Sequence, residues 1–411
     1  MKINIMTGGV ASGVLLLACA ILSFTVANTK FGASYLKVWS TPLGGQPLSS
    51  WINEGLMAFF FLLVGLELKR EILYGELKSS KQAVLPLMAA LGGMLVPAAI
   101  YVMLNWGEHT LSGFGIPMAT DIVFVVAILT ALGKRVPSSL RIFVLTLAVV
   151  DDLGAVLVIA LFYTAHFQVA YLMLAIMLLL AMILLGQVVV PRSRVGEAVM
   201  VGVLLLLGVG VWSLFAKSGI PAGVCGVLVA LAIPSLRYDE QDSPAVRLER
   251  KLQLPVYLLV LPIFVLSNTA IQLPQATASM VNEVLAQPYV LGIAVSLFVG
   301  KPLGVMLGSW LTVALGWGTL PREVHAVHVV GVGFLCGIGF TMAIFIAAMA
   351  FQNPSQVDVA VLTVLVTSIL SAVVGTVVLC SNRKTVGTER IPKAGNDRQR
   401  LTQNEETLFK F

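Results

Sequence analysis

Residues 142–163 read IFVLTLAVVDDLGAVLVIALFY, and this stretch places two adjacent aspartates, Asp151 and Asp152, in the middle of a long apolar run. A helix needs about 20 predominantly apolar residues to cross a bilayer, and this run is long enough. A carboxylate at the bilayer centre is costly, so such residues usually face a cavity and handle ions or protons. Two of them side by side make the chain a candidate ion or proton transporter.

The composition of the 411-residue chain indicates a membrane protein. Hydrophobic residues make up 58% of the chain and charged residues 11%, whereas a soluble domain carries about 25% charged residues. The net charge of +6 does not indicate nucleic-acid binding, because the basic residues lie in loops and in the tail rather than on one face. The four cysteines have neither metal-ligand spacing nor the pattern of a disulfide framework: Cys19, Cys225, Cys336 and Cys380.

The apolar runs predict an all-α polytopic membrane protein with about twelve transmembrane helices. The predicted spans are, in chain order, 9–27, 51–68, 83–104, 114–132, 142–163, 171–190, 198–215, 220–233, 254–271, 289–311, 327–351 and 357–380. Together they form one transmembrane domain, residues 1–382. The polar tail, residues 383–411, is expected to be disordered and cytoplasmic.

Loop charges predict the orientation, because cytoplasmic loops are rich in lysine and arginine. One alternating set of loops carries most of the basic residues: Lys2, Lys69, Arg70, Lys78, Lys81, Lys134, Arg135, Arg192, Arg194, Arg237, Arg247, Arg250, Lys251, Arg322, Arg383 and Lys384. The opposite set holds Lys30, Lys37 and Lys217. We therefore expect both termini in the cytoplasm, which requires an even number of spans.

The first outside loop, residues 31–50, has features of a β-hairpin. Residues 35–39 have a strand-like composition, and Gly44 and Gly45 follow as a turn signal. We expect either a short hairpin on the outer surface or an irregular loop.

The two adjacent aspartates cannot do the same job, because neighbouring residues on a helix point about 100° apart. One of them can face a water-filled cavity while the other faces a neighbouring helix. Two carboxyls this close in a low dielectric resist simultaneous ionisation. Such a pair can hold protons until a metal cation displaces them. The alternative is a pair of mutually hydrogen-bonded aspartates that only stabilises the core.

Two spans contain sequences that interrupt a membrane helix. In the fourth span the sequence GIPMATD, residues 115–121, has a glycine and a proline just before Thr120 and Asp121. Asp121 could neutralise helix ends or contact the ion, or the helix could simply begin late with Thr120 as its N-cap. The eleventh span contains CGIGFT, residues 336–341, with Gly337, Gly339 and Thr341; its glycines could instead serve close packing.

Interrupted spans in both halves of a transporter indicate an inverted repeat with the binding site at the repeat interface. We expect helices 3–5 to match helices 10–12, and the discontinuous helices 4 and 11 to cross in the middle of the membrane.

Lys301 lies in the middle of the tenth span and needs a counter-charge there. The intramembrane acids available are Asp121, Asp151 and Asp152, and we expect a salt bridge to one of them. The sequence GKP at 300–302 is not a phosphate-binding loop, because Pro302 replaces the required serine or threonine. With no other ATP-binding motif in the sequence, we expect secondary transport without a cofactor, and no enzymatic activity.

Charged residues also cluster at the cytoplasmic end of the second span. Glu67, Arg70 and Glu71 share one helix face, and Glu249 lies in another cytoplasmic loop. Glu67, Arg70 and Glu71 could be a solvated helix end, or a functional cluster that Glu249 joins. The histidines are expected at the surface without a metal site: His109, His166, His325 and His328.

At these residues the sequence resembles the NhaA family of bacterial sodium/proton antiporters, over most of the chain from Trp51 to Cys380. The resemblance rests on five stretches: FFLLVGLELKRE at 60–71, PMATDI at 117–122, LAVVDDLGA at 147–155, GKPLG at 300–304 and LCGIGFTMAIFIA at 335–347.

The resemblance implies exchange of cytoplasmic Na+ or Li+ for external H+ across the bacterial inner membrane, dependent on pH and electrogenic. Asp152 would be the main sodium ligand, and Asp151 would contribute to the site and pair with Lys301. Thr120 and Asp121 would lie where the broken helices cross.

The resemblance further implies that the cytoplasmic cluster responds to pH and that the outer hairpin makes a homodimer contact. Its members are Glu67, Arg70, Glu71 and Glu249.

Two positions depart from the family pattern. The stretch Ser-Gly-x-His of the family is SGIP at 218–221, with Pro221 in place of histidine, and Glu54 stands where the family has aspartate. Any pH role of that histidine is therefore expected to be absent or relocated. A sodium-coupled symporter and a passive cation channel are the alternatives, although few polar side chains are available to hold a solute and a channel needs no paired carboxylates.

Overall fold

The computed structural model of this chain describes residues 5–164, 167–188, 193–235, 243–272, 283–321 and 324–381. The predicted tail, 383–411, and His166 lie outside these ranges. The described part is almost entirely helical.

Nine α-helices lie in the described ranges between Ile5 and Ser218. They are α1 (Ile5–Ala27), α2 (Gly32–Ser40), α3 (Leu48–Trp51), α4 (Met57–Tyr74), α5 (Ser80–Leu104), α6 (Ile122–Leu132), α7 (Ser138–Phe162), α8 (Val169–Val188) and α9 (Arg194–Ser218). A 3₁₀ helix, His109–Met118, precedes α6.

Further α-helices lie in the described ranges of the second half. They are α10 (Cys225–Ala232), α11 (Pro244–Pro255), α12 (Leu261–Asn268), α13 (Pro288–Val295), α14 (Lys301–Ala314), α15 (Ala326–Cys336), α16 (Phe340–Ala350) and α17 (Pro354–Ser381).

Nine helical stretches in the described ranges are long and apolar enough to cross a membrane, and the α15–α16 pair, bent by 47°, makes a tenth. Two other predicted spans do not meet that criterion: α4 ends in a run of charged residues, and the helical segment Ala222–Ala232 is short. Twelve spans and the inverted repeat therefore stay predictions.

The helices differ in how deeply they lie in the protein. The most apolar part of α7 is 67% buried, whereas that of α8 is only 22% buried although it is just as apolar. A helix that is apolar on every side and exposed in the isolated protein suits contact with lipid. The two aspartates of α7 therefore lie at the centre of the bundle.

Three spans contain a π-helical turn, in which hydrogen bonds join residues five apart. These turns are Ile52–Leu56 before α4, Val256–Val260 between α11 and α12, and Ser296–Gly300 between α13 and α14. Proline explains the last two, because Pro262 and Pro302 lack the N–H that would continue the α-helical pattern. Such turns occur often at functional sites, since they change the direction of nearby side chains.

Close approach of α5 and α14 depends on small residues. A Cβ atom at Gly304 would collide with the backbone carbonyl of Gly92, and one at Gly308 would collide with that of Met88. The absence of side chains at these positions lets the backbones pack directly, as is common between membrane helices. This packing sets the position of Lys301 at the first residue of α14.

Three sequence predictions need correction. Residues Tyr35–Trp39 are helical, within α2, rather than a strand, and the hairpin is limited to Pro42–Leu43 and Gln46–Pro47 around the glycine turn. The second span continues as helix to Tyr74. The ninth begins at Pro244 rather than near 254, so Glu249 lies in a helix and not in a loop.

Candidate functional site

Lys301 is the structural centre of the site. Its ammonium lies 2.5 Å from Asp151 Oδ2 and donates to the hydroxyl of Thr120, 3.0 Å away, and to the carbonyl oxygen of Met118. Lysine has three N–H donors, and these three contacts use all of them. Lys301 therefore joins α14 to α7 and to the interrupted fourth span.

Thr120 contributes a second link between these elements. Its hydroxyl lies 2.5 Å from Asp151 Oδ2 and 2.9 Å from the carbonyl oxygen of Cys336, at the end of α15. The single hydroxyl proton can go to only one of these two acceptors at a time, while the oxygen accepts from Lys301. The alternative that Thr120 caps α6 is wrong, because the N-cap of α6 is Asp121.

Asp151 and Asp152 are buried, with relative exposures of 0% and 1%. In the described part of the chain, the Oδ1 atom of each is buried and has no hydrogen-bond partner. The two carboxylates are therefore not bonded to each other through these oxygens, contrary to the purely structural alternative. Unpaired buried carboxylate oxygens need a proton, a cation or water, because leaving them bare is costly.

Asp121 holds the two helix breaks together. Its Oδ1 accepts from the backbone N–H groups of Val123 and Phe124 at the start of α6, and its Oδ2 accepts from the N–H and the hydroxyl of Thr341 at the start of α16. A carboxylate at a helix N-terminus offsets the positive end of the helix dipole. These contacts support the neutralisation of helix ends, and ion binding by Asp121 stays a prediction.

The backbones of the two breaks also cross. The N–H of Asp121 donates to the carbonyl oxygen of Ile338 at 2.6 Å, and the N–H of Gly339 donates to Ser368 Oγ at 3.2 Å. A Cβ at Gly337 would meet the carbonyl oxygen of Leu297 at 2.6 Å. These two N–H groups thus find acceptors inside the protein, as a break in a membrane-spanning helix requires of its freed backbone groups.

Of the four predicted pH-response residues, two pair with each other and two bond to other residues. Arg70 Nε pairs with Glu249 Oε2 at 3.1 Å, and Glu67 Oε1 accepts from the hydroxyl of Tyr257 at 3.2 Å. Glu71 instead accepts from Thr146 of α7 and from the N–H of Glu76. Glu249 is buried, and it lies in α11 beside Arg70 of α4.

Comparison with known proteins identifies the class of this site. The family model described as Na+/H+ antiporter 1 matches residues 4–379. This chain belongs to the Na+/H+ antiporter 1 family.

Relatives named Na(+)/H(+) antiporter NhaA agree with this membership. The one from Flavobacterium psychrophilum is 42% identical over 89% of this chain and 92% of its own length, and the one from Dechloromonas aromatica is 43% identical over 89% and 91%. An NhaA 2 from Pseudomonas syringae pv. syringae is 45% identical over 90% and 92%. The resemblance to the NhaA family is confirmed.

A solved structure of the sodium proton antiporter MjNhaP1 from Methanocaldococcus jannaschii covers 93% of the chain, at 16% identity and a TM-score of 0.42. That similarity is too low to support an argument.

Membership of the antiporter family has direct consequences. The chain is a multi-pass membrane transporter that exchanges sodium ions for protons, and it is not an enzyme. The names of the relatives give no support to the symporter alternative.

The structure describes both positions at which the sequence departs from the family pattern. Pro221 is buried directly before the short helix Ala222–Val224. Glu54 lies in the π-helical turn before α4, and its backbone carbonyl accepts from the indole of Trp212 at 3.1 Å.

Sequence reasoning missed Tyr257 and mistook one histidine. Tyr257 lies in an apolar stretch between Pro255 and Pro262. A single tyrosine hydroxyl in such a stretch is weak evidence of a functional residue. His328 is buried rather than at the surface, and its Nδ1 accepts from the backbone N–H of His325 at 3.0 Å. A histidine three residues after a helix start could have suggested this capping contact.

Proposed function

We propose that this antiporter binds Na+ at Asp152 and Asp151 and exchanges cytoplasmic Na+, or the chemically similar Li+, for external protons. The observation that carries the proposal is the pair of buried Oδ1 atoms without hydrogen-bond partners in the described residues. Carboxylate oxygens are ligands for hard cations and are also sites of protonation. The same two atoms can therefore serve both transported ions.

Asp152 is the main ligand in this proposal, because Lys301 and Thr120 hydrogen-bond to Asp151 and leave Asp152 without a contact to either. Asp151 keeps one oxygen on Lys301 and offers the other. Asp151 directly precedes Asp152 in α7, so two carboxylates share this part of the site. A concentration of negative charge around one carboxylate favours neutralisation, either by a proton or by a metal cation.

The exchange is pH-dependent and electrogenic in this proposal. Protons and Na+ compete for the same oxygens, so a high proton concentration keeps the carboxyls neutral and excludes the cation. Because two carboxyls can release protons when one Na+ binds, the exchange can move net charge. A voltage-sensitive dye in proteoliposomes tests this, since electroneutral exchange would leave the dye signal unchanged.

The arrangement in the cell is part of the proposal. The loop charges favour both termini in the cytoplasm, and the relatives imply the bacterial inner membrane. The outer hairpin, Pro42–Leu43 with Gln46–Pro47, carries exposed backbone and side chains that suit pairing with a second copy. Chemical cross-linking through cysteines placed in this hairpin tests the homodimer.

The experiment that tests the ion site is Na+-dependent proton flux in vesicles. Adding Na+ without any organic solute should change the luminal pH with the wild-type protein. Asp152→Asn should abolish this flux and leave folded protein in the membrane, because an amide cannot alternate between proton and cation. Asp358→Asn, the same change near the start of α17, is the matched control and should retain flux. Substantial exchange by Asp152→Asn would contradict the assignment.

A further inference from the structure

Tyr257 lies in the π-helical turn Val256–Val260 and contacts the charged end of α4. Its hydroxyl donates to Glu67 Oε1 at 3.2 Å, and the side chain is half-buried. The turn has a local cause, because Pro262 cannot donate to the carbonyl of Leu258, and the N–H of Leu261 bonds instead to Val256. The extra residue in the π-helical turn changes the direction of nearby side chains. One of these is Tyr257, which bonds Glu67.

Glu67 lies between the ion site and the cytoplasmic end of the protein. Helices α4 and α7 are separated by two spans and run in opposite directions, and the Glu71–Thr146 hydrogen bond fixes their register. Glu67 is four residues from Glu71, about 6 Å along α4, and Asp152 is six residues from Thr146, about 9 Å along α7. Glu67 is therefore within about 3 Å of the level of Asp152 along the helix axes.

Polar side chains of α11 lie between Glu67 and the cytoplasmic end of the protein. Gln253, four residues before Tyr257, donates to Glu249 Oε1 at 3.4 Å. Glu249 in turn pairs with Arg70, whose side chain is 38% exposed. Hydrogen bonds thus link the partly exposed Arg70 to Gln253 through Glu249, and along α4 Glu67 lies between Arg70 and the level of Asp152.

We propose that Tyr257 is a positioning residue for ion exchange, which holds the Glu67 carboxylate as a relay between the cytoplasmic entrance and Asp152. This inference rests on the proposed role of Asp152. A carboxylate next to Glu249 and Asp152 experiences repulsion from both, and without a fixed donor its side chain would turn towards Arg70 or water. The tyrosine hydroxyl is a neutral donor, so it fixes the direction of Glu67 without cancelling the negative charge that attracts Na+.

The test is Tyr257→Phe, which removes the hydroxyl and keeps the ring. We expect the apparent KM for Na+ to rise about fivefold with kcat nearly unchanged, an effect of the size of one lost hydrogen bond. The matched control is Tyr35→Phe. The Tyr35 hydroxyl reaches the carbonyl of Leu266 in α12, at 3.1 Å, so the same atom is removed near the same span but away from Glu67. The control should keep the wild-type KM.

A double mutant separates positioning from a general packing effect. In a Glu67→Gln background, Tyr257→Phe should cause no further change in KM, because the group that it positions has lost its charge. An unchanged KM in Tyr257→Phe alone, or the same increase in the Glu67→Gln background, would overturn the inference. If the wild-type protein shows no Na+-dependent proton flux, the proposed function fails instead, so the two failures are distinguishable.

Discussion

The ammonium group of Lys301 lies 2.5 Å from Asp151 Oδ2, and both side chains are sealed from solvent, with 1% and 0% exposed. The two residues are 150 positions apart in the chain and join α14 to α7. A buried ion pair contributes little net stability, yet the loss of one partner is costly because the other charge stays buried. The pair therefore ties the two helices together at the candidate ion site.

Lys301→Met is expected to destabilise the protein by about 3–5 kcal/mol, because Asp151 is left without its counter-charge. Combining it with Asp151→Asn should recover part of this loss, since neither buried charge then remains. Thermal unfolding in detergent of the two single mutants and the double mutant measures the coupling. Strictly additive losses would show that the residues do not interact.

Asp121→Asn is expected to lower stability by about 1–2 kcal/mol, because two helix N-termini lose their negative charge and one oxygen acceptor. Thr341→Val removes only the hydroxyl contact and leaves the backbone N–H donor, so its loss should be smaller, at about 1 kcal/mol. Thermal unfolding of both variants provides the comparison. Equal losses, or none with Asp121→Asn, would count against its capping of both helices.

Gly304→Ala is expected to destabilise the protein by about 1–3 kcal/mol, because its methyl group would push α14 away from the carbonyl of Gly92. The displacement of α14 should also move Lys301, its first residue, and so weaken Na+-dependent proton flux. Gly202→Ala in α9 is the control, since a Cβ there meets no atom within 4 Å. A stability like that of the control would show that α5 and α14 can separate at no cost.

Transport is expected to be low at acidic pH and to rise towards alkaline pH. At low pH protons occupy Asp151 and Asp152 and exclude Na+, and as the pH rises the carboxyls ionise and bind it. Competition of this kind needs no histidine at position 221. Proton flux measured across pH at low and at saturating Na+ tests it in the wild type. Activity that saturating Na+ does not restore at the acidic end would require a separate conformational pH switch.

The variant Glu71→Gln tests how far the cytoplasmic charges tune this pH profile. Glu71 contacts Thr146 and the Glu76 backbone rather than Arg70 or Glu249. We therefore expect only a small shift of the pH midpoint. Exposed charges are screened beyond about 8 Å at physiological salt, but Glu249 is buried, so Glu249→Gln should shift the midpoint more. The same flux assay compares the two variants.

Much of the site was predictable because charged residues in apolar runs are rare. Asp151, Asp152 and Lys301 stand out in their spans, and the glycines and proline near Asp121 indicate broken helices. These signals are local in the sequence, and the cost of burying a charge in lipid makes each of them specific. The tyrosine at 257 gave no comparable signal, because a tyrosine in an apolar helix is ordinary.

Local patterns misled where long-range contacts decide the structure. Residues Tyr35–Trp39 have strand-forming side chains but form a helix, and Tyr35 reaches Ser23 and Leu266 from it. Glu249 looked like a loop residue because charged neighbours surround it, yet α11 buries it against α4. In both cases, contacts with distant segments outweigh local preference.

The sequence by itself determined that this chain is a polytopic membrane protein with charged residues in its spans, since hydropathy and the cost of buried charge act on each segment separately. Only the tertiary structure decided which charges meet. It paired Lys301 with Asp151, gave both oxygens of Asp121 to two helix starts, and joined Glu67 to Tyr257. The reason is that these contacts depend on how closely distant helices approach and on where their π-helical turns and breaks direct the side chains.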